Sequence, residues 1–211
     1  MIIKCSGEEL DLIKEKAIYW AAKKMLIISD LHIGKSAHFR KYGIPVPATI
    51  GQHDLERLSK TIIKYRPDIL VITGDMFHNT MNSDVVLFEE WRKEHEDLRI
   101  ILVKGNHDAL TDATYEQLQI EVVHKELLES PFRFIHDKPT EFDEYFNITG
   151  HIHPGVTIYG KARQQLKFPC FYFTSTCAVL PAFSAFTGLS MISRVEGDQF
   201  YAITPTSVLA V

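Results

Sequence analysis

The chain has 211 residues, 45% of them hydrophobic, and a formal net charge of −4 with histidine neutral. That suffices for one α/β domain, residues 1–211, with a full core, and it is too acidic for a surface that is a nucleic-acid footprint throughout. Cys5, Cys170 and Cys177 lack CxxC spacing, acidic residues follow closely on the amino terminus, and no apolar run reaches the roughly 18 residues of a membrane helix, which excludes a disulfide framework, a thiolate zinc site and a membrane span and leads us to expect a cytoplasmic protein.

Residues 10–13, 17–20 and 25–29 are short apolar segments separated by Lys/Glu-rich breaks and read as three strands. The third ends in Asp30-Leu31-His32-Ile33-Gly34, where polar side chains at i and i+2 of extended backbone point the same way. Residues 35–47 read as a loop, a flap over whatever Asp30 and His32 hold. Within it His38 and Arg40 are expected to contact substrate, and Lys41 to be solvated. Thr49 is placed as the cap of a helix with Leu55, Leu58, Ile62 and Ile63 on its apolar face, stopped at Pro67.

The continuous apolar run 69–73 has the character of a strand buried on both faces and ends in Gly74-Asp75-Met76-Phe77-His78. Asn82 or Ser83 then caps a helix with Val86, Phe88 and Trp91 inward. The next strand, 100–103, delivers Gly105-Asn106-His107-Asp108. An amide oxygen suits a divalent cation, an imidazole trades a proton near neutral pH, and a carboxylate beside it can fix the ring. Alone, this motif could equally be a turned loop whose Asn caps a helix. The matching polar sets at other strand ends decide for a site, because ligands of α/β sheets gather at strand carboxyl ends.

Beyond Asp112 a short helix gives way to strands at 121–123, 132–135 ending at His136, and 145–149 ending in Gly150-His151-Ile152-His153-Pro154. Further strands are expected at 156–159, 171–173, 189–193 and 199–203, with the Phe-rich run 168–186 as core of a second sheet. No repeat, linker or low-complexity tract interrupts the chain.

Collected, the strand-end residues Asp30, His32, Asp75, Asn106, His107, His136, His151 and His153 are all oxygen or nitrogen donors. That mixture suits Mn, Fe or Zn and fits Ca poorly. With His107 left aside as the proton-trading imidazole, the seven other ligands exceed the needs of one four-coordinate zinc, whereas two ions sharing a carboxylate would use them all. Such ions sit about 3.5–4 Å apart and generate hydroxide near neutral pH, which makes phosphoryl chemistry the natural use.

Asp30-x-His32, Gly74-Asp75, Gly105-Asn106-His107-Asp108, a lone His136 and Gly150-His151-x-His153, in this order, resemble the calcineurin-like metallophosphoesterases. Segments 30–47, 74–78 and 150–188, with Lys161-Ala162-Arg163-Gln164, Phe168-Pro169-Cys170-Phe171 and Leu180-Pro181-Ala182-Phe183, are similar to the branch called DNA ligase-associated metallophosphoesterases. The resemblance implies a four-layer α-β-β-α sandwich of two mixed sheets with a dimetal site at the strand carboxyl ends. It implies that Asp30, His32 and His153 hold one metal, Asn106, His136 and His151 the other, and that Asp75 bridges. His107 would be the general acid, Asp108 would orient it, and a bridging hydroxide would attack phosphorus.

Mn is the first choice of metal, with Fe or Zn as alternatives. His78 and Arg163 are expected to face substrate. The function this implies is a metal-dependent phosphodiesterase acting on a nucleotide or nucleic-acid diester, linked to DNA repair through a ligase, a helicase and an exonuclease. The alternatives are a small-nucleotide or phosphomonoester phosphatase and a non-catalytic scaffold of the same superfamily. Phosphoprotein phosphatases carry Gly-Asp-x-x-Asp-Arg-Gly where this chain has Gly74-Asp75-Met76-Phe77-His78-Asn79-Thr80.

Overall fold

The computed structural model describes residues 1–47, 49–78, 82–139, 144–160 and 164–211. Seven strands form the first sheet in sequence order. Tight turns make β1 (Ile2–Cys5), β2 (Glu8–Ile13), β3 (Ala17–Trp20) and β4 (Met25–Ile28) antiparallel. From β4 onward the partners β5 (Ile69–Ile72), β6 (Arg99–Val103) and β7 (Ile120–Val123) are parallel. Parallel strands need long crossovers, and here these carry α1 (Lys35–Lys41), α2 (Thr49–Tyr65), α3 (Ser83–Lys93) and α4 (Asp112–Gln117).

The two-residue strand period divides this sheet between two cores. Leu26, Ile28, Leu70, Ile72, Ile100 and Leu102 pack against Leu55, Leu58 and Ile62 of α2 and Val85, Phe88 and Trp91 of α3. Met25, Ile27, Val71, Ile101 and Val103 face the other way, onto the second sheet. Each fully buried side chain of this kind contributes about 1.5–3 kcal/mol, so burial on both faces holds the strands that carry the site's loops firmly in place.

The second sheet runs β14 (Ser190–Met191), β11 (Pro154–Tyr159), β12 (Gln165–Phe173), β13 (Cys177–Val179), β10 (Phe146–Thr149), β9 (Phe132–Phe134), β8 (Leu127–Glu129), with β15 (Gln199–Ile203) on β12 and β16 (Val208–Ala210) on β15. β9, β10 and β13 are parallel neighbours and β12 is antiparallel to β13, which makes this sheet mixed as well. Phe132, Phe134, Ile148, Phe171 and Phe173 fill the space between the sheets.

Several expectations change in detail. Residues 35–41 are helix, because the Asp84 carboxylate reaches across from α3 to accept the Ser36 hydroxyl and the Ala37 N–H, capping α1 from a distant part of the sequence. Thr49 is the first residue of α2 rather than its cap. Ile63 is 68% and Val86 48% exposed; their inward places belong to Leu58 with Ile62 and to Val85, as the 3.6-residue period requires once the neighbours are buried. Among the described residues no helix follows Gln117. The outer face of the second sheet buries a small cluster of Val156, Cys170, Phe200 and Ala202.

Candidate metal centre

The exits of β4 and β5 run in step. Asp30 N–H donates to Gly74 O (3.0 Å), His32 N–H to Asp75 O (2.9 Å) and Ile33 N–H to Met76 O (2.8 Å), which sets Asp30, His32 and Asp75 side by side. The turn after β6 joins them. His107 N–H donates to Asp75 Oδ1 at 2.9 Å, and the Asp108 carboxylate accepts Phe77 N–H (2.8 Å) and Gly105 N–H (2.9 Å). From the second sheet, Gly150 N–H donates to His136 O and His151 N–H to Asp30 Oδ2, at 3.1 Å each.

This assembly forces unusual backbone. Asp30, His32, Asp75, His151 and His153 all have φ between 50° and 66°, half of the ten non-glycine residues at positive φ among the described residues. Such conformations cost on the order of 1–3 kcal/mol each and concentrate where function demands a fixed geometry. The motif glycines allow the close approach. A Cβ on Gly74 would lie 2.0 Å from His136 Nδ1, and one on Gly150 would lie 1.7 Å from Ser29 Oγ.

Two triads result. Ligand atoms of Asp30, His32 and His153 lie within 4.8 Å of one another, and so do those of Asp75, His136 and His151. In the first, Asp30 Oδ1 stands 3.1 Å from His153 Nε2 and 3.9 Å from His32 Nε2, and all three atoms are buried without a hydrogen bond. Burial, with the Lys35 charge beside it, lowers the His32 pKa to about 3 and keeps the ring in the neutral form that ligates. In the second, His136 Nδ1 lies 2.9 Å from Thr73 O, which leaves Nε2 turned to Asp75 Oδ1 (3.4 Å) and His151 Nδ1 (3.2 Å).

Burial opposes the charged form of His136, but the Asp75 hydrogen bond, the Thr73 carbonyl and the Asp75 charge outweigh it and raise its pKa to about 9. Burial would likewise favour a neutral Asp75, yet His136 and the His107 N–H hold it far below the usual carboxylate range. Orphaned buried donors and acceptors of this kind are costly unless something satisfies them. One carboxylate oxygen and two imidazole nitrogens converging without partners are what a divalent transition-metal ion would satisfy, so the residues fit the metal that their types imply.

Asn106 stands exposed on the turn between Gly105, whose Cβ position is 2.4 Å from Asp75 N, and His107. The His107 ring is half exposed, its Nε2 4.0 Å from Asp75 Oδ2, stacked on His78 at 4.8 Å and 5.7 Å from the His32 ring. His78 is buried and continues to His38 at 5.1 Å. Asp108 differs from its expected use: both its oxygens accept backbone N–H groups, so it pins the loops after β5 and β6 together instead of holding the His107 ring. Burial raises its pKa to about 6 against those two N–H bonds. Arg40 pairs with Asp84 Oδ1 at 3.2 Å. Arg163 lies outside the described residues.

Sequence reasoning passed over Lys35, on the first turn of α1. It is half buried, and burial lowers its pKa while the charges of Asp30 and Asp75 work to raise it. Its signal was present, a lysine directly after Gly34, but a loop reading gave it no fixed direction.

Residues 23–177 match the family model described as Calcineurin-like phosphoesterase. Among solved structures, the Pseudomonas putida nuclease MPE is similar at 30% identity and TM-score 0.85, over 100% of this chain and 99% of that one. Yfce, a phosphoesterase from E. coli, is 15% identical with TM-score 0.48, over 89% of this chain and 97% of its own. No curated protein sequence matches the chain. The fold, the matched span and the full-length likeness to the nuclease agree, and the chain belongs to the calcineurin-like phosphoesterase family.

Proposed function

We propose that this phosphoesterase is a dinuclear, metal-dependent phosphodiesterase acting on a nucleotide or nucleic-acid diester. The observation that carries the reading is the pair of adjacent ligand triads, Asp30/His32/His153 and Asp75/His136/His151. In this reading Asp75 lies between the two positions, Asn106 completes the second, and Mn is the first choice of metal, with Fe or Zn as alternatives. Bound there, divalent ions supply positive charge for a phosphoryl group and acidify water towards neutral pH.

The protein's own groups do the rest. His107, projecting beside Asp75, donates a proton to the departing oxygen. Lys35, His38 and His78 border the route by which a phosphate reaches the triads. A nucleic-acid substrate, and with it a place beside a DNA ligase, a helicase and an exonuclease in repair, is supported by the likeness to the P. putida nuclease. The chain works as one domain, because the two sheets share a continuous core beneath the site. Among the described residues no helix is long and apolar enough to cross a membrane; a cytoplasmic setting is part of the proposal.

The test is a screen in Mn²⁺ of phosphate monoesters, nucleotide diesters, single-stranded DNA and RNA. Diesters should be hydrolysed faster than monoesters, because among the described residues few cations besides Lys35 stand near the triads to hold an extra phosphate charge. A strong monoester preference would favour the phosphatase alternative, and no hydrolysis with any divalent metal would leave the scaffold.

A further inference from the structure

A second buried network stands behind the Asp30 triad. The loop after β13 crosses the carboxyl end of β4, where Phe183 N–H donates to Ser29 O (2.8 Å) and Ser184 N–H to Asp30 O (3.1 Å). Its other polar groups are taken from behind. Arg57 of α2 donates to Phe183 O, with its guanidinium 4.4 Å from the Phe183 ring, and Lys16 Nζ donates to Ser184 O at 3.1 Å.

Asp54, only 3% exposed, accepts Ser184 Oγ–H (3.1 Å) and Ala185 N–H (3.0 Å) and pairs with Arg57 at 2.8 Å. Every backbone N–H and C=O of Phe183 and Ser184 therefore has a partner. One side of this loop grips Ser29 and Asp30, and the other is anchored by three charged side chains.

Ser184 is the residue whose N–H donates to the carbonyl of Asp30, and Asp30 sits at φ 54° with Oδ1 unpartnered. A residue in so sparsely populated a conformation keeps it only when its surroundings over-determine it. None of Asp54, Arg57 and Lys16 belongs to either triad, and burying a carboxylate beside two half-buried cations is expensive unless the arrangement is fixed for a purpose.

We propose that Asp54 and Arg57 are positioning residues that, through the Phe183–Ser184–Ala185 clamp, hold Asp30 in the geometry that binds the metal of the Asp30/His32/His153 triad. The proposal rests on the reading of that triad as a metal site. Groups that orient metal ligands from behind typically change affinity by about 10- to 100-fold when removed. Asp54→Ala should accordingly weaken one of the two Mn²⁺ sites by that factor. Arg57→Met, which leaves the buried carboxylate hydrogen-bonded to Ser184 and Ala185, should weaken the same site by about tenfold, the lower end of that range.

The experiment is Mn²⁺ titration of the chelator-stripped full chain, with amide hydrogen exchange at Ser184 and thermal melting in chelator. Asp84→Ala is the control, because it removes an equally buried carboxylate that caps α1 and does not touch the clamp. Asp54→Ala and Arg57→Met should lose affinity at one site and expose the Ser184 amide, while Asp84→Ala melts lower and keeps both affinities. If Asp54→Ala does not fold, Arg57→Met decides alone. Lower melting temperatures with both Mn²⁺ affinities intact overturn the clamp, as does an equal loss of metal in Asp84→Ala. A wild-type chain that binds no Mn²⁺ overturns instead the reading of the triads on which the clamp rests.

Discussion

His107 is set apart from the other site histidines by its position: half exposed, it lies beside Asp75 without joining either triad. In its proposed role as proton donor to the leaving oxygen, it would matter most when that oxygen departs poorly. General-acid catalysis supplies about 10²- to 10⁴-fold, roughly 3–5 kcal/mol of barrier. His107→Ala should therefore lose that much on a nucleoside diester and far less on a nitrophenyl ester, with metal content unchanged. Equal losses on both substrates would assign it to substrate positioning.

His136 yields a prediction about pH. In the metal-free protein its imidazolium persists to about pH 9, burial being outweighed by Asp75. A metal ion at Nε2 must displace that proton, so Mn²⁺ affinity at this position rises with pH, by about tenfold per unit up to about pH 9, and is lost as pH falls. Titrations at about pH 6 and pH 8 giving the same dissociation constant would contradict the assignment of His136 as a ligand.

At the scale of elements, α1 carries Lys35 and His38 to the site, and it is held there by Asp84 rather than by its own sequence. Loss of such a cap costs about 0.5–2 kcal/mol. Asp84→Ala should lower the melting temperature by a few degrees and raise KM for a diester while both metals stay bound. An unchanged KM would show that α1 does not take part in substrate binding.

The same element shows where the sequence is legible and where it is not. β4, β5 and β6 could be read because strands buried on both faces are continuous apolar runs, and the polar sets at their ends are brought together as spacing suggested. α1 could not, since its cap comes from Asp84 and no local signal marks it. β1, β8, β13 and β16 are three- or four-residue strands, too short for their side-chain alternation to stand out, although each pairs with a strand next to it in sequence. Asp54 and Asp84 look like ordinary helix-surface acids in one dimension; only the packing of α2 and α3 buries them. For Asp108, adjacency in sequence points to His107, whereas the turn aims its carboxylate at the Phe77 and Gly105 N–H groups.

For the molecule as a whole, two sheets from successive parts of the chain, packed face to face, bring their strand ends together at the site. β4, β5 and β6 supply Asp30, His32, Asp75 and His107, while the loops after β9 and β10 supply His136, His151 and His153. Neither sheet holds a complete triad: His153 completes Asp30 and His32, and His136 and His151 complete Asp75. Metal binding should thus tie the sheets together. Asp75 belongs to the second triad and touches the first through the His32 N–H on its carbonyl, with His107 N–H and His136 on one side-chain oxygen and the His107 ring facing the other.

The most direct test is the metal content and diesterase activity of Asp75→Ala after reconstitution with Mn²⁺. The account predicts two equivalents in the wild-type chain, depletion of both positions together in the variant, and no measurable hydrolysis of bis-nitrophenyl phosphate, with the fold retained because the buried strands do not depend on this side chain. Two full equivalents of metal in Asp75→Ala, or diester hydrolysis at the wild-type rate, would contradict a site in which one carboxylate serves both ions.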